Sequence, residues 1–359
     1  MRLGSVSFGG PIASIALFQN AVCEKNKWLA ANEFQEIYTL CKIFPGPVAT
    51  EIAIAIGRKL SGRWIGGIIS GLCFILPSWI MVILLGYAYI RGGSGSTTDA
   101  KLSFFLKGLQ IGALTVIAAS LVNMAKPHWQ SALFWGVGIV AALATFFHPT
   151  YEPVFIILLG VLGVIYSRQK IFRLSAFGFT LLPLKTLFLT CFKSGAFVFG
   201  TGLAIVPVLE SDFVQKYHWV THAQFMDALA VGQLTPGPVT ITATFLGLIT
   251  QGLPGAFVAT LGIYLPAFVY ALLLLPLLAS WIRRSSWVQP FYAWVTPAVI
   301  GGIAASGVAL SQSMISNPFE TIWLIGMLSI QLWKKPPTWL IIPGSGAGLF
   351  LVSLLKHYL

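Results

Sequence analysis

Apolar runs of about 20 residues, the length a helix needs to cross a bilayer, recur along the whole of this 359-residue chain. They lie near 3–22, 36–57, 65–90, 103–125, 131–147, 152–167, 181–209, 227–250, 253–280, 289–311, 319–333 and 338–356. Some are short for a full crossing, and no gap between them would hold a soluble domain. Charged residues make up 9% of the chain and hydrophobic ones 57%, against about 25% charged in a soluble domain. A water-surrounded core could not hide this much apolar surface, so the solvent is lipid. Trp28, Trp64, Tyr151, Trp219, Trp281, Trp287, Trp333 and Trp339 fall near segment ends, as interfacial belts do. The expected fold is an all-α polytopic membrane protein.

The net charge is +12, which in a soluble protein would raise nucleic acid as a partner. Here the basic residues occupy short gaps between apolar runs, as the positive-inside rule describes. No basic stripe carries interleaved aromatics, so no nucleic acid is expected. Cys23, Cys41, Cys73 and Cys191 form no Cys-x-x-Cys pair and read as packed free thiols. The apolar start runs into Gly9-Gly10-Pro11 rather than a small-residue cleavage site, so no cleavable signal peptide is expected.

The chain is also duplicated. Shifting it by 191 positions puts Gly4 on Gly195, Phe8 on Phe199, Gly9 on Gly200, Trp28 on Trp219 and Phe34 on Phe225. Glu36 meets Asp227, and Pro45-Gly46-Pro47-Val48 meets Pro236-Gly237-Pro238-Val239. After a two-residue deletion Gly66 meets Gly255 and Leu76-Pro77 meets Leu265-Pro266. The repeats are expected at 1–173 and 174–359. The second copy has an apolar lead-in, Leu181 to Cys191, that the first lacks, so the first copy has lost it or the true start lies upstream of Met1.

Charge suggests how the copies are oriented. Arg58, Lys59 and Arg63 follow the second segment of copy one; copy two places Arg283 and Arg284 after its third. If each Pro-Gly-Pro segment is re-entrant, each copy has five true crossings and the second copy is inverted. One face then collects Lys25, Lys27, Arg58, Lys59, Arg63, Lys126, Arg168, Lys170, Arg173, Arg283, Arg284, Lys334 and Lys335. The other receives Arg2, Arg91, Lys101, Lys216 and Lys356, with Lys107 close by. About ten crossings plus two broken segments is the expected topology; twelve straight crossings would scatter the charges. Inverted repeats recur in secondary transporters.

Two prolines around a glycine break a helix. In lipid such a break survives only inside protein or beside water, and it exposes a helix N-terminus that attracts anions. Paired breaks at corresponding positions point to a transport site; each alone would pass for a packing kink. Phe8-Gly9-Gly10-Pro11 is a further break, matched by Phe199-Gly200-Thr201-Gly202, with close helix packing as the rival role. Charges inside apolar segments are functional candidates. Lys42 could meet an anion, and Glu51 could carry a proton or pair with Lys42 or Arg58. Lys193 is a further candidate, and snorkelling to an interface is the alternative for all three. Glu36 and Asp227 lie near segment ends, and Thr221 could cap the helix that holds Asp227. His218 and His222 stand four apart near Glu210 and Asp212, but no third strong ligand has a fixed spacing, so no metal is expected. Pro343-Gly344-Ser345-Gly346-Ala347-Gly348 lacks the Gly-Lys-Ser/Thr ending of a P-loop. Neither a Ser-His-Asp arrangement nor paired catalytic carboxylates are seen. No enzyme activity and no cofactor are expected.

At these motifs the chain resembles the chromate ion transporter family in its long two-domain form. The first copy carries the opening pattern Ser7-Phe8-Gly9-Gly10-Pro11, Trp28, Phe34, Pro45-Gly46-Pro47, Thr50-Glu51, Gly57 and Leu76-Pro77. The second copy resembles the family's second domain in Phe199-Gly200-x-Gly202, Pro207, Trp219, Phe225, Gln233, Pro236-Gly237-Pro238, Phe245, Gly255 and Pro266. Members often have Gln where Lys42 stands and Asn-Ser where Val48-Ala49 stand. The resemblance implies a bacterial inner-membrane exporter of chromate, with sulfate close in size and charge. Alternatives are a transporter of sulfate or another small anion and, from another class, a membrane enzyme or lipid scramblase. Expected partners are the oxyanion, a coupling proton or ion, the lipid bilayer and a second copy as homodimer. Implied site residues are Phe8, Gly9, Gly10, Pro11, Lys42, Pro45, Gly46, Pro47, Thr50, Glu51, Gly200, Gly202, Gln233, Pro236, Gly237 and Pro238.

Overall fold

A computed structural model of the chain describes residues 2–7, 10–91, 100–148, 151–167, 183–197, 204–278, 285–315, 317–334, 336 and 338–358. Of these, 2, 10–13, 42, 43, 100–103, 153, 183, 292, 313, 314, 338, 339 and 353–358 are described by backbone alone. No strand occurs among the described residues. A helix pairs its own backbone groups, which is what a chain bathed in hydrocarbon requires.

The first repeat runs α1 (Arg2–Val6), α2 (Gly10–Gln19), a π turn (Asn20–Lys25), α3 (Ala31–Ile43), α4 (Val48–Ser61), α5 (Trp64–Arg91), α6 (Ala100–Ala125), α7 (Ala132–Phe147) and α8 (Glu152–Tyr166). The second runs α9 (Pro183–Ala196), α10 (Ile205–Glu210), a π turn (Ser211–Lys216), α11 (His222–Leu234), a 3-10 turn (Val239–Ile241), α12 (Thr242–Val269), a π turn (Tyr270–Leu274), α13 (Val288–Met314), α14 (Pro318–Lys334) and α15 (Thr338–Tyr358). The expected boundary between repeats at 173 and 174 lies outside the described residues.

The duplication is visible in the backbone. The π turns and α3/α11 recur at the same shift of 191. Lys27 (φ 52) and His218 (φ 51) are the positive-φ residues other than glycine among the described residues, and they correspond. The turn bonds recur too: Asn26 N–H donates to Ala21 O and Trp28 N–H to Val22 O, as Tyr217 N–H donates to Asp212 O and Trp219 N–H to Phe213 O. Gly62 (φ 66) separates α4 from α5, and Gly252 (φ 64) kinks α12 within the stretch where the alignment takes its deletion.

Trp64–Arg91, Phe104–His128, Val239–Leu278 and Val288–Gln312 are long and apolar enough to cross a membrane, and Ala132–Phe147, Val154–Tyr166 and Leu340–Val352 are shorter apolar helices. The chain is a multi-pass helical membrane protein. Its outward faces carry exposed Leu84, Ile139, Ile322 and Trp333, as lipid contact allows. The repeats interlock: α6 packs on α15, α7 and α8 on α13, and α5 on α12. Small residues let these backbones close. A Cβ on Gly301 would strike the backbone of Gly138, and one on Gly108 that of Ser345 and Gly346. The largest core surrounds the second break, with Ile205, Leu209, Phe213, Phe225, Met226 and Phe245 fully buried. A smaller core of Phe34, Cys41, Val48, Ile52 and Phe74 backs the first. Cys41 and Cys191 are buried free thiols, and Cys23 and Cys73 are free and partly exposed.

Candidate functional site

Each Pro-Gly-Pro ends one helix and begins another. α3 stops at Ile43, Phe44 turns extended, and α4 starts after Pro47, whose carbonyl accepts from Thr50 N–H at 2.8 Å and Glu51 N–H at 3.1 Å. α11 stops at Leu234, Thr235 turns extended, and the 3-10 turn at Val239 leads into α12. Residues 46–56 and 235–248 are buried. Ahead of Thr50 and Ile241, whose N–H groups donate to Pro47 O and Pro238 O, the opening amides at Val48, Ala49, Val239 and Thr240 have no intrahelical partner by geometry, and the prolines add no donors. Each break is thus a buried, electropositive helix start.

The first break holds a carboxylate. Glu51, in the first turn of α4, is 1% exposed, and neither of its oxygens nor Thr50 Oγ1 has a hydrogen-bond partner among the described residues. Its carboxyl fills the space a Gly46 side chain would take: a Cβ there would collide with Oε1. The pairing of Glu51 with Arg58 is not formed. Tyr270, from the second repeat, covers the break; its ring stacks on Phe44 at 5.8 Å and its hydroxyl donates to Ala196 O at 3.2 Å.

The second break is lined by hydroxyls and an amide. Gln233 is 4% exposed, and its Nε2 has no partner among the described residues. Thr240 Oγ1 donates to Tyr264 Oη at 3.0 Å. Thr242 Oγ1 donates to Val239 O at 2.8 Å. Gly237 adopts φ 109, which an L side chain resists, and a Cβ there would stand 2.8 Å from Ser78 Oγ. Its N–H donates to Ser7 O at 2.8 Å. Ser7 leads into the Gly9-Gly10 run of the first repeat, so each Pro-Gly-Pro is seated against the opposite repeat.

Of the expected site residues, Pro45, Gly46, Pro47, Thr50, Glu51, Gln233, Pro236, Gly237 and Pro238 gather at the two breaks. α2 begins at Gly10-Pro11, after α1 ends at Val6. Phe8, Gly9, Gly200 and Gly202 lie outside the described residues, as do the side chains of Lys42 and Pro11. Lys193 is not at a break: it pairs with buried Asp212 at 2.5 Å. Thr221 caps α11 as expected, accepting from Gln224 N–H at 3.2 Å.

Sequence reasoning underrated Asp227. It sits within α11, buried, rather than at a helix end. It accepts from Tyr89 Oη and from Gln110 Nε2, both at 2.8 Å, joining α11 to α5 and α6 of the other repeat. An acid in an apolar run was the available signal. Its partners, 138 and 117 positions away, gave none. At the exposed start of α3, Lys59 donates to Glu33 at 2.8 Å and, with the Ala30 amide, holds that carboxyl below its usual range.

Comparison with known proteins agrees with this architecture. The family model described as chromate transporter matches residues 1–165 and again 185–350. The chain is 32% identical to the chromate transport protein of Cupriavidus metallidurans over 99% of its own length and 92% of that protein's. It is 33% identical to the probable chromate transport protein of Synechococcus elongatus, over 95% and 91% of the two lengths. With the chromate transport protein of Pseudomonas aeruginosa it shares 25% identity over 96% and 92%. No solved structure matches. Matched by the family model in both repeats, the chain belongs to the chromate transporter family, which is a family of transporters and not of enzymes.

Proposed function

We propose that this chain is a secondary transporter that exports a small oxyanion, chromate, across the bacterial inner membrane through a site formed by the two Pro-Gly-Pro breaks. The observation that carries the reading is the pair of buried helix starts, each backed by the other repeat and each holding unpartnered polar groups. The repeats run inverted, each with about five crossings and one re-entrant segment (1–173 and 174–359). Rocking of one repeat against the other opens the site to alternate sides.

The second break binds the anion. The Gln233 amide donates, and the Tyr264 hydroxyl, already accepting from Thr240, has its own proton to give. The amides of Val239 and Thr240, which open the 3-10 turn leading into α12, add the positive end of that helix. The first break sets the charge. At an effective dielectric of about 20, two unit charges about 4 Å apart repel by about 4 kcal/mol, and a dianion doubles that. Glu51 therefore cannot stay ionised beside chromate without a counter-charge. A proton on Glu51 supplies it, which links the anion to a coupling ion. No nucleotide is required: a dianion leaving a cell that is negative inside gains about 2.3 kcal/mol per charge per 100 mV.

The test is labelled chromate accumulation in cells expressing the chain, with sulfate as competitor and Gly46→Leu as control. Lower accumulation with the parent alone, relieved by sulfate, is the expected result. Equal accumulation in both strains would move the substrate to another small anion. Lipid movement in vesicles without anion flux would replace transport by scrambling.

A further inference from the structure

A second set of buried ionisable groups lies away from the breaks. α8 of the first repeat begins at Glu152 and packs on α10 of the second, which ends at Glu210. Both carboxyls are 1% exposed. Glu210 is held: Gln215 Nε2 donates to its two oxygens at 3.1 and 2.9 Å, and His222 Nδ1 stands 3.5 Å from Oε1. Glu152 is not held. Neither of its oxygens has a partner among the described residues. Its carboxyl rests on α13 at Gly302, where a Cβ would collide with Oε1, and it lies within electrostatic reach of Glu210.

The neighbouring elements leave the pair without a full counter-charge. α13 contains no Asp, Glu, Lys, Arg or His, and neither does α7. Among the described residues, His222 at the start of α11 faces Glu210, Tyr151 and exposed His148 stand one and four residues before Glu152 in the chain, and Lys216, on the turn after α10, lies over the Tyr217 ring. On α9, Lys193 is committed to Asp212 and Lys185 is exposed. Two carboxylates in one water-poor site repel each other, and a proton bound there removes that repulsion. The arrangement belongs to the second repeat only, for Gln19 and Ala31 occupy the positions matching Glu210 and His222.

We propose that Glu152 and Glu210 together form a site that binds one proton, loaded through His222. The His222 side chain is 43% exposed, while the Glu210 side chain behind it is 1% exposed. Binding converts one carboxylate to a neutral carboxyl and requires no other reactant. The site bridges the two repeats, and α11 runs from His222 directly to Pro236-Gly237-Pro238. Proton loading is thereby tied to the second break. Its role in transport rests on the transporter reading above; its existence does not.

The experiment is an infrared pH titration of the purified full-length protein, comparing the parent with Glu152→Gln, Glu210→Gln and His222→Gln, without substrate. The expected result, read in a Glu51→Gln background so that Glu51 does not contribute, is a protonated-carboxyl band at neutral pH that is lost when Glu152→Gln or Glu210→Gln is added in monodisperse protein. In His222→Gln the midpoint of that band moves by about one pH unit, tenfold in proton affinity. That variant alters a surface-reaching ring and serves if the buried variants fail to fold. A band unchanged in all folded variants would overturn the proposal. So would a response to sodium in place of protons. Because the band needs no anion, its presence in a protein without chromate flux would count against the transport reading alone.

Discussion

One turn into α4, after the first Pro-Gly-Pro, stands Glu51; at the corresponding place in α12, after the second, stands Thr242. Three residues before the first break stands Lys42; three before the second stands Gln233. The backbones match, with extended residues at Phe44 and Thr235, yet one break carries an acid and a base in sequence while the other carries amide and hydroxyls. A repeat that kept both would present a dianion with a repelling carboxylate twice. On the proposed transport reading, divergence after duplication separates the tasks: the helix start that both share is the anion-attracting part, and the groups around it decide whether charge is bound or balanced.

The comparison breaks most readily at the glycines. Gly237→Leu forces a side chain into φ 109 against Ser78, and Gly46→Leu displaces the Glu51 carboxyl. Each should lower chromate flux about a hundredfold, as misplacement of a site by about 1 Å does, while the protein still inserts. Flux into proteoliposomes checks this, and normal flux in the double variant would sink the paired-break site.

A second effect sharpens the comparison between the neutral and charged breaks. Gln233→Leu removes a donor where the anion needs one, an unmade hydrogen bond worth about 1–3 kcal/mol, so chromate affinity should fall about tenfold or more. Glu51→Gln keeps the shape and removes the charge. Anion binding should survive while the dependence of flux on a pH gradient is lost, which flux at imposed gradients would show.

Smaller losses belong to the scaffold that joins the repeats. Asp227→Asn weakens the bonds from Tyr89 and Gln110 and should cost about 1.5–3 kcal/mol, the worth of hydrogen bonds to a charged group, read as a lower melting temperature in detergent. Thr221→Ala removes the cap of α11 at about 1 kcal/mol, and the same melt should register it as the mildest change.

Much of this was legible beforehand because it is local or periodic. Apolar run length pointed to a multi-pass helical chain, and the shift of 191 placed both breaks; the paired turns at Lys27 and His218 obey the same shift but came to light only in the backbone. Thr221 announced its cap by chemistry at short range. What stayed hidden is long-range pairing. Lys193 looked free in an apolar run, yet its charge is taken by Asp212. Asp227 looked peripheral because its partners lie in the other repeat. Glu152 and Glu210 gave no motif, since their neighbourhood exists only once α8 and α10 pack.

The central claim, that the second break binds the anion and the first balances its charge, is tested most directly by equilibrium chromate binding to the purified protein at one fixed pH. Gln233→Leu should weaken binding about tenfold or more, while Glu51→Gln should bind as tightly as the parent or more so. Unchanged binding in Gln233→Leu together with lost binding in Glu51→Gln would contradict the account and move the anion to the first break.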